Sequence, residues 1–101
     1  MSTGKNNPVL SAGQIEQVAL RFRLLGEPMR LRILQSVCRR PRTVNEIVAA
    51  VGATQANVSK HLALLAAGGI LARKKEGQRA YYGMKDQLAM KLCALVHKHL
   101  R

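Results

Sequence analysis

Apolar residues recur every three to four positions in five stretches of the chain, a period that predicts amphipathic helices. Capping boxes open at Ser11 and Thr43, and Thr54 caps the helix that follows the second of them. Gly26 and Gly52 close the first and third helices. The predicted helices cover about 11–25, 28–39, 43–52, 54–67 and 86–100.

The spacing of apolar residues departs from the helical period after residue 69. Residues 70–75 and 79–84 are predicted strands, joined by Glu-Gly-Gln in a hairpin with a glycine turn. The order α-α-α-α-β-β-α predicts a mainly α fold with a small β-hairpin. Two short helices joined by Val-Gly-Ala are typical of a helix-turn-helix, and a basic hairpin directly after it is typical of a wing.

Composition supports this picture and adds a strong charge. Of the 101 residues, 48% are hydrophobic and 3% are aromatic, so the core must consist of Leu, Ile, Val, Ala and Met. Such a core suits helices. Lys and Arg number 17 against 5 Asp and Glu, a net charge of +12. This balance favours a polyanionic partner, with nucleic acid first and an anionic membrane surface second.

The chain contains no apolar run near the roughly 18 residues that span a bilayer, and its first ten residues lack the apolar segment of a secretory signal. We therefore expect a cytoplasmic protein without membrane contact. In a reducing compartment Cys38 and Cys93 are expected to be thiols. Residues 1–10 are a predicted flexible tail, and 11–101 are one predicted winged helix-turn-helix domain.

The fourth helix divides into a packed back and a polar front. The back consists of three apolar residues on one narrow face: Val58, Leu62 and Leu65. The front, here called the polar arc, consists of Gln55, Ala56, Ser59, Lys60 and Ala63. His61 falls on the packed flank. A Gln side chain can form two hydrogen bonds with adenine, Lys can reach guanine or a phosphate, and Ser can bond to either base type. An Ala methyl can contact the thymine methyl. A merely solvated amphipathic helix is the alternative.

The predicted DNA-contacting residues of this helix also include its first turn. They are Thr54, Gln55, Ala56, Asn57, Ser59 and Lys60. The hairpin adds five residues for backbone phosphates, which position a protein without reading sequence: Arg73, Lys74, Lys75, Gln78 and Arg79. A charged run is usually a solvated face, but this one follows a helix-turn-helix and has a modest apolar inner face.

Five segments together resemble the ArsR/SmtB family of bacterial repressors, from about residue 15 to 99. They are LLGEPMRLRIL, TVNEI, TQANVSKHLALL, AGGIL and EGQRAYY. The resemblance implies a winged-helix homodimer joined through its first and last helices, a two-fold symmetric DNA operator, and release when an effector binds. The family's base-contacting positions fall on Gln55, Ala56, Ser59 and Lys60. Ala56 departs from the family, where Ser is common.

The family's metal sites are incomplete in this chain. Its metalloid site needs Cys-x-Cys at the third helix, where this sequence has Thr43 and Asn45. Its zinc-type site in the last helix matches only Asp86 and His99, and two ligands do not complete a tetrahedral shell. We therefore expect no metal and no other cofactor. Asp86 is interpreted as the cap of the last helix.

The two thiols permit two interpretations. Cys38 and Cys93 are either small buried hydrophobes, or a switch that responds to oxidation or reactive sulfur. A branch of the family resembles the second arrangement, with one Cys in the second helix and one in the last. Here Cys38 lies about one turn later and Cys93 about two turns earlier than in that branch.

The sequence thus predicts a homodimeric repressor that binds a palindromic site in double-stranded DNA. An effector-independent regulator and a sequence-neutral architectural DNA-binding protein are the alternatives. An enzyme is not predicted, because no nucleophile–base set or complete metal site is visible.

Overall fold

A computed structural model describes residues 9–100, and its elements follow the predicted order with one addition. The elements are α1 (Ala12–Leu25), α2 (Pro28–Val37), β1 (Arg42–Thr43), α3 (Val44–Val51), α4 (Gln55–Ala67), β2 (Leu71–Glu76), β3 (Arg79–Met84) and α5 (Leu88–Lys98). The predicted tail lies outside the described residues except for Val9 and Leu10.

The two predicted capping boxes are confirmed in atomic detail. The Ser11 hydroxyl accepts a hydrogen bond from the Gln14 N–H at 3.2 Å, and the Gln14 side chain accepts one from the Ser11 N–H at 2.9 Å. Thr43 and Glu46 form the same reciprocal pair at 3.2 and 2.9 Å. Each box satisfies two N–H groups that the first helical turn leaves without a partner.

The end of α2 and both ends of α5 differ from the predicted bounds, since α5 covers Leu88–Lys98 rather than 86–100. α2 ends at Val37, with Cys38 as its C-cap, and does not reach 39. Pro41 disfavours helical backbone only in Arg40, the residue directly before it, so α2 ends two residues earlier than the proline requires. Asp86 is not the N-cap of α5: Gln87 takes that position. Asp86 lies one residue before this cap, and its carboxylate accepts a hydrogen bond from the Leu88 N–H at 2.9 Å.

The addition is the strand β1, which converts the predicted hairpin into a three-stranded antiparallel sheet of order β1-β3-β2. Arg42 pairs with Tyr82 and Thr43 with Tyr81. Two residues show no alternation, so no hydrophobic pattern could have predicted this strand. Because Thr43 is also the N-cap of α3, the sheet is joined directly to the start of the helix-turn-helix.

The core lies where α2, α3, α4 and the start of β2 meet. Its members are aliphatic, as the composition predicted: Leu24, Ile33, Leu34, Val37, Ile47, Val58, Leu62, Leu65, Ile70, Leu71 and Ala89. Burial of each larger side chain contributes about 1.5–3 kcal/mol. No helix among the described residues is long and apolar enough to cross a membrane.

The apolar stripe of α1 lies outside this core. Of the α1 residues only Leu24 is buried, while Phe22 remains 60% exposed. α5 repeats the pattern, with Leu95 and Val96 exposed and Ala89 buried. A helical period identifies an apolar face without identifying what covers it. Both terminal helices therefore present apolar surface outward.

Candidate nucleic-acid interface

The helix-turn-helix consists of α3 and α4, joined by a sharp turn at Gly52. This glycine has φ +70°, the left-handed conformation that side chains other than hydrogen disfavour, and its N–H donates to the Val48 carbonyl at 2.9 Å. After the turn, the Thr54 hydroxyl accepts a hydrogen bond from the Asn57 N–H at 3.2 Å and starts α4. The turn thereby directs the start of α4 away from the core.

The back of α4 is the centre of the core, because Val58, Leu62 and Leu65 are each 0% exposed. The polar arc is exposed along its whole length, as are Thr54 and Asn57. Within the arc, two pairs of residues lie four apart and form neighbouring rows about 6 Å long: Gln55 with Ser59, and Ala56 with Lys60. The helix therefore offers short polar side chains on a rigidly held face.

Thr54 and Asn57 differ from the other predicted contact residues of α4. The Thr54 oxygen is already an acceptor for the cap, so its O–H remains as the donor. Asn57 supplies its backbone N–H to that cap, and its side chain is exposed. Both lie at the end of the helix that carries the positive pole of its dipole, which favours phosphate.

The wing carries its cations on two faces. In the antiparallel register, Arg73 lies opposite Tyr82 and Lys75 opposite Ala80, on the same face as buried Leu71. Lys74 lies opposite Tyr81 on the other face, because side chains alternate along a strand. The sequence prediction treated these cations as one group, and the register divides them.

Glu76 makes the two faces unequal, a point that the sequence prediction missed. Its carboxylate lies 3.8 Å from the Lys74 ammonium, and both side chains are largely exposed. Such a pair contributes little to stability but offsets part of the Lys74 charge. Gln78 and Arg79 are exposed at the turn and the start of β3. The inner face of the wing is therefore the more strongly basic one.

The wing and α4 meet at a shallow groove. Its lining includes Thr43 and Glu46 from the start of α3, Gln55 from α4, and Arg79 from β3. A hydrogen bond from the Thr43 N–H lowers the pKa of Glu46, and the nearby charges of Arg40 and Arg42 lower it further. One groove thus brings a predicted base-contacting residue beside a predicted phosphate-contacting one.

His61 lies on the packed flank of α4, as predicted, and is 8% exposed. The Arg30 guanidinium on α2 donates to its Nδ1 at 3.2 Å. No pattern in the sequence indicates this role for Arg30, because 31 positions separate Arg30 from His61 and no periodicity links them. This contact is the polar connection between α2 and the buried side of α4.

The predicted remnant of a metal site is split between the two ends of α5. Asp86 precedes the helix, and His99 is its C-cap, with Nδ1 3.0 Å from the Leu95 carbonyl oxygen. Among residues 9–100, no group of three or more His, Cys, Asp or Glu side chains could hold a metal ion.

The two thiols lie in different surroundings. Cys38 is half-buried at the end of α2, and Cys93 is half-buried on α5. Cys93 lines an apolar groove together with Phe22 of α1 and Leu31 of α2. Leu31 precedes Cys38 by seven residues, about 10 Å along a helix axis. Both cysteines are free.

Comparison with known proteins agrees with this architecture. Residues 27–72 match the model of the arsR family of bacterial regulatory proteins. A transcriptional repressor SmtB homolog from Synechocystis is 30% identical over 93 residues, which cover 92% of this chain and 70% of that protein. A probable mercury resistance operon repressor from Streptomyces lividans is 37% identical over 65 residues, 64% of this chain and 52% of that protein.

A solved structure extends the agreement to three dimensions. The homodimeric winged helix-turn-helix DNA-binding domain of Mb0332 from Mycobacterium bovis, a possible ArsR-family regulator, superposes with a TM-score of 0.78. It is 32% identical, and the match covers 86% of this chain and 81% of that one. The predicted fold class and family resemblance are confirmed, and these relatives are transcriptional regulators rather than enzymes. The chain belongs to the ArsR/SmtB family of winged helix-turn-helix transcriptional regulators.

Proposed function

We propose that the protein is a transcriptional repressor that binds a palindromic operator in double-stranded DNA as a homodimer. The observation that carries this proposal is the polar arc of α4, exposed beside a basic wing while its apolar back is fully buried. A major groove admits a helix presented in this way. The relatives named as repressors support the same role. We place the protein in the cytoplasm, with residues 11–101 as its DNA-binding and dimerisation domain.

Within the arc, the proposed roles follow side-chain chemistry. Gln55 pairs with adenine, Lys60 reaches guanine or a phosphate, Ser59 donates or accepts at either base type, and Ala56 contacts a thymine methyl. Thr54 and Asn57 bind phosphate at the start of the helix.

The wing supplies the remaining contacts. Its five proposed phosphate-contacting residues are Arg73, Lys74, Lys75, Gln78 and Arg79. These contacts raise affinity for every DNA sequence alike and set the register of the protein on the duplex.

The proposed dimer surface consists of the outward apolar faces of α1 and α5. Phe22 and Val96 lie on this surface, on either side of the groove that Leu31 and Cys93 also line. Apolar patches of this kind mark interaction sites, and a second copy of the chain is the proposed partner. The homodimeric M. bovis domain supports this choice. Two-fold symmetry then places the two α4 helices in major grooves about 34–36 Å apart.

The proposal is tested by selecting duplexes from a randomised library with the wild-type protein, then comparing affinity for the selected duplex and for random duplex. Gln55→Ala should lower preference at one base pair of each half-site by about 1–3 kcal/mol. Gln35→Ala, the same change at an exposed position of α2, is the control and should leave the preference unchanged. If selection enriches no sequence, the protein is an architectural DNA-binding protein and the proposed function is wrong.

Derepression by thiol chemistry is a second candidate, because Cys93 lies in the groove of the proposed dimer surface. Peroxide would oxidise Cys38 and Cys93 to a disulfide if their Cα atoms come within about 7 Å. The two thiols give up two electrons and two protons, which cleave the O–O bond of peroxide to form two water molecules. Operator affinity is measured with reduced, peroxide-treated and polysulfide-treated protein, beside Cys38→Ser. A loss on oxidation in wild type alone supports the switch. Unchanged affinity throughout leaves an effector-independent regulator.

A further inference from the structure

The side chain of Arg30 lies where α1, α2 and α4 meet. Its Nη1 donates to the Arg23 and Leu24 carbonyls, both at 3.4 Å, at the end of α1. Its Nε donates to Nδ1 of His61 on α4 at 3.2 Å. One planar guanidinium therefore contacts both the last turn of the proposed dimerisation helix and the buried flank of the proposed recognition helix.

Each end of this contact is chemically specific. The last carbonyls of a helix have no partner within the helix and form its negative pole, which a cation satisfies. His61 is the one buried polar side chain among the described residues, and a buried polar group needs a partner. Since Nδ1 accepts from Arg30, the neutral ring carries its proton on Nε2.

Arg30 is itself held in place. Its backbone N–H donates to the Glu27 carboxylate at 3.0 Å, which is the N-cap contact of α2. The close-packed apolar back of α4 fixes how deeply the helix is seated and limits its rotation. A hydrogen bond to an imidazole nitrogen is directional and constrains rotation of α4 about its own axis.

We propose that Arg30 is a positioning residue that sets the orientation of α4 relative to α1 through His61, and thereby the half-site spacing that the dimer recognises. This inference rests on the proposed function. In a dimer joined through α1, the angle between α1 and α4 decides where the second α4 meets the DNA. A change in that angle shifts both recognition helices in opposite directions.

The test uses two variants that separate hydrogen bonding from packing. His61→Asn keeps an acceptor oxygen near the position of Nδ1 but loses ring volume. His61→Leu keeps apolar volume but has no acceptor. Affinity is measured on the duplex selected by wild type, on the same duplex with one base pair inserted at its centre, and on random duplex. The insertion rotates one half-site by about 34° relative to the other.

Wild type and His61→Asn should bind the selected duplex more tightly than the duplex with the inserted base pair. In His61→Leu the ratio of these two affinities should be about tenfold smaller, an effect comparable to the loss of one base contact. Affinity for random duplex should stay unchanged in all three. If His61→Leu does not fold, Arg30→Met replaces it, since this change keeps the aliphatic stem and removes the donors.

Two other results have distinct meanings. Equal discrimination by wild type and His61→Leu, or an equal loss in both His61 variants, overturns the positioning role while the proposed function stands. If wild type does not prefer its selected duplex to random duplex, the proposed function fails, and the inference fails with it.

Discussion

Lys75→Ala should flatten the salt dependence of DNA binding without changing sequence preference. Lys75 lies on the inner face of the wing opposite Ala80, and Glu76 points to the other face. Each phosphate contact contributes about 0.9 to the slope of log affinity against log salt. The change removes one contact from each protomer of a dimer, so the slope should flatten by about 1.8. Between 50 and 200 mM salt, wild type should then lose about twelvefold more affinity than the variant.

The assay is a fluorescence-anisotropy titration at four or more salt concentrations, on selected and random duplex. Lys74→Ala is the matched control in the same strand. Its slope should change less, because Glu76 lies 3.8 Å from the Lys74 ammonium and already offsets part of its charge. A wild-type slope for Lys75→Ala would refute the assignment of the inner face to phosphate. An effect confined to the selected duplex would show that Lys75 reads bases.

Three further predictions concern assembly and stability. Phe22→Glu should yield a monomer by sedimentation equilibrium, since a charge replaces an aromatic ring that is 60% exposed in the isolated chain; an intact dimer would contradict the α1 interface. The pKa of Glu46 is held below its ordinary 4.5, so its contribution to stability is present above that value and lost as pH falls through the lowered pKa. Urea midpoints of Glu46→Gln should therefore fall less than those of wild type below pH 4.5, and parallel curves would refute this. Gly68→Ala should lower the free energy of unfolding by about 1–3 kcal/mol, because its methyl would overlap the Leu24 side chain, which is buried in the core and has little room to move. Gly13 has open space around it, so Gly13→Ala should raise the free energy of unfolding by about 0.4–1 kcal/mol. If both glycine substitutions changed this free energy in the same direction, the described contacts around Gly68 would be contradicted.

Much of the fold could be predicted because its determinants are local. Ser11, Thr43 and Thr54 cap helices through side chains that reach only three residues along the chain, and Gly52 ends α3 through its own backbone. The buried back of α4 follows from a 3.6-residue period. Such features are visible in any window of a dozen residues.

The rest depends on contacts between distant parts of the chain. The pairing of β1 with β3 joins residues 42–43 to 81–82, and the Arg30–His61 hydrogen bond joins positions 31 apart. The division of the wing cations between two faces needs the strand register, which counting charges does not supply. Phe22 belongs to a helical stripe that no part of the described chain covers, and a sequence period cannot say what covers it.

The sheet order β1-β3-β2 leaves β2 as an open edge. An open edge has unpaired backbone groups that can pair with the edge of another molecule and start aggregation, and lysines along it oppose this by repulsion and by their hydration. Arg73, Lys74 and Lys75 lie on that edge strand. The cations proposed to hold phosphate are therefore also expected to oppose aggregation through this edge. A variant in which all three cations are replaced by neutral residues would be expected to aggregate as well as to bind DNA weakly. Neutralising substitutions in the wing are therefore best made one at a time.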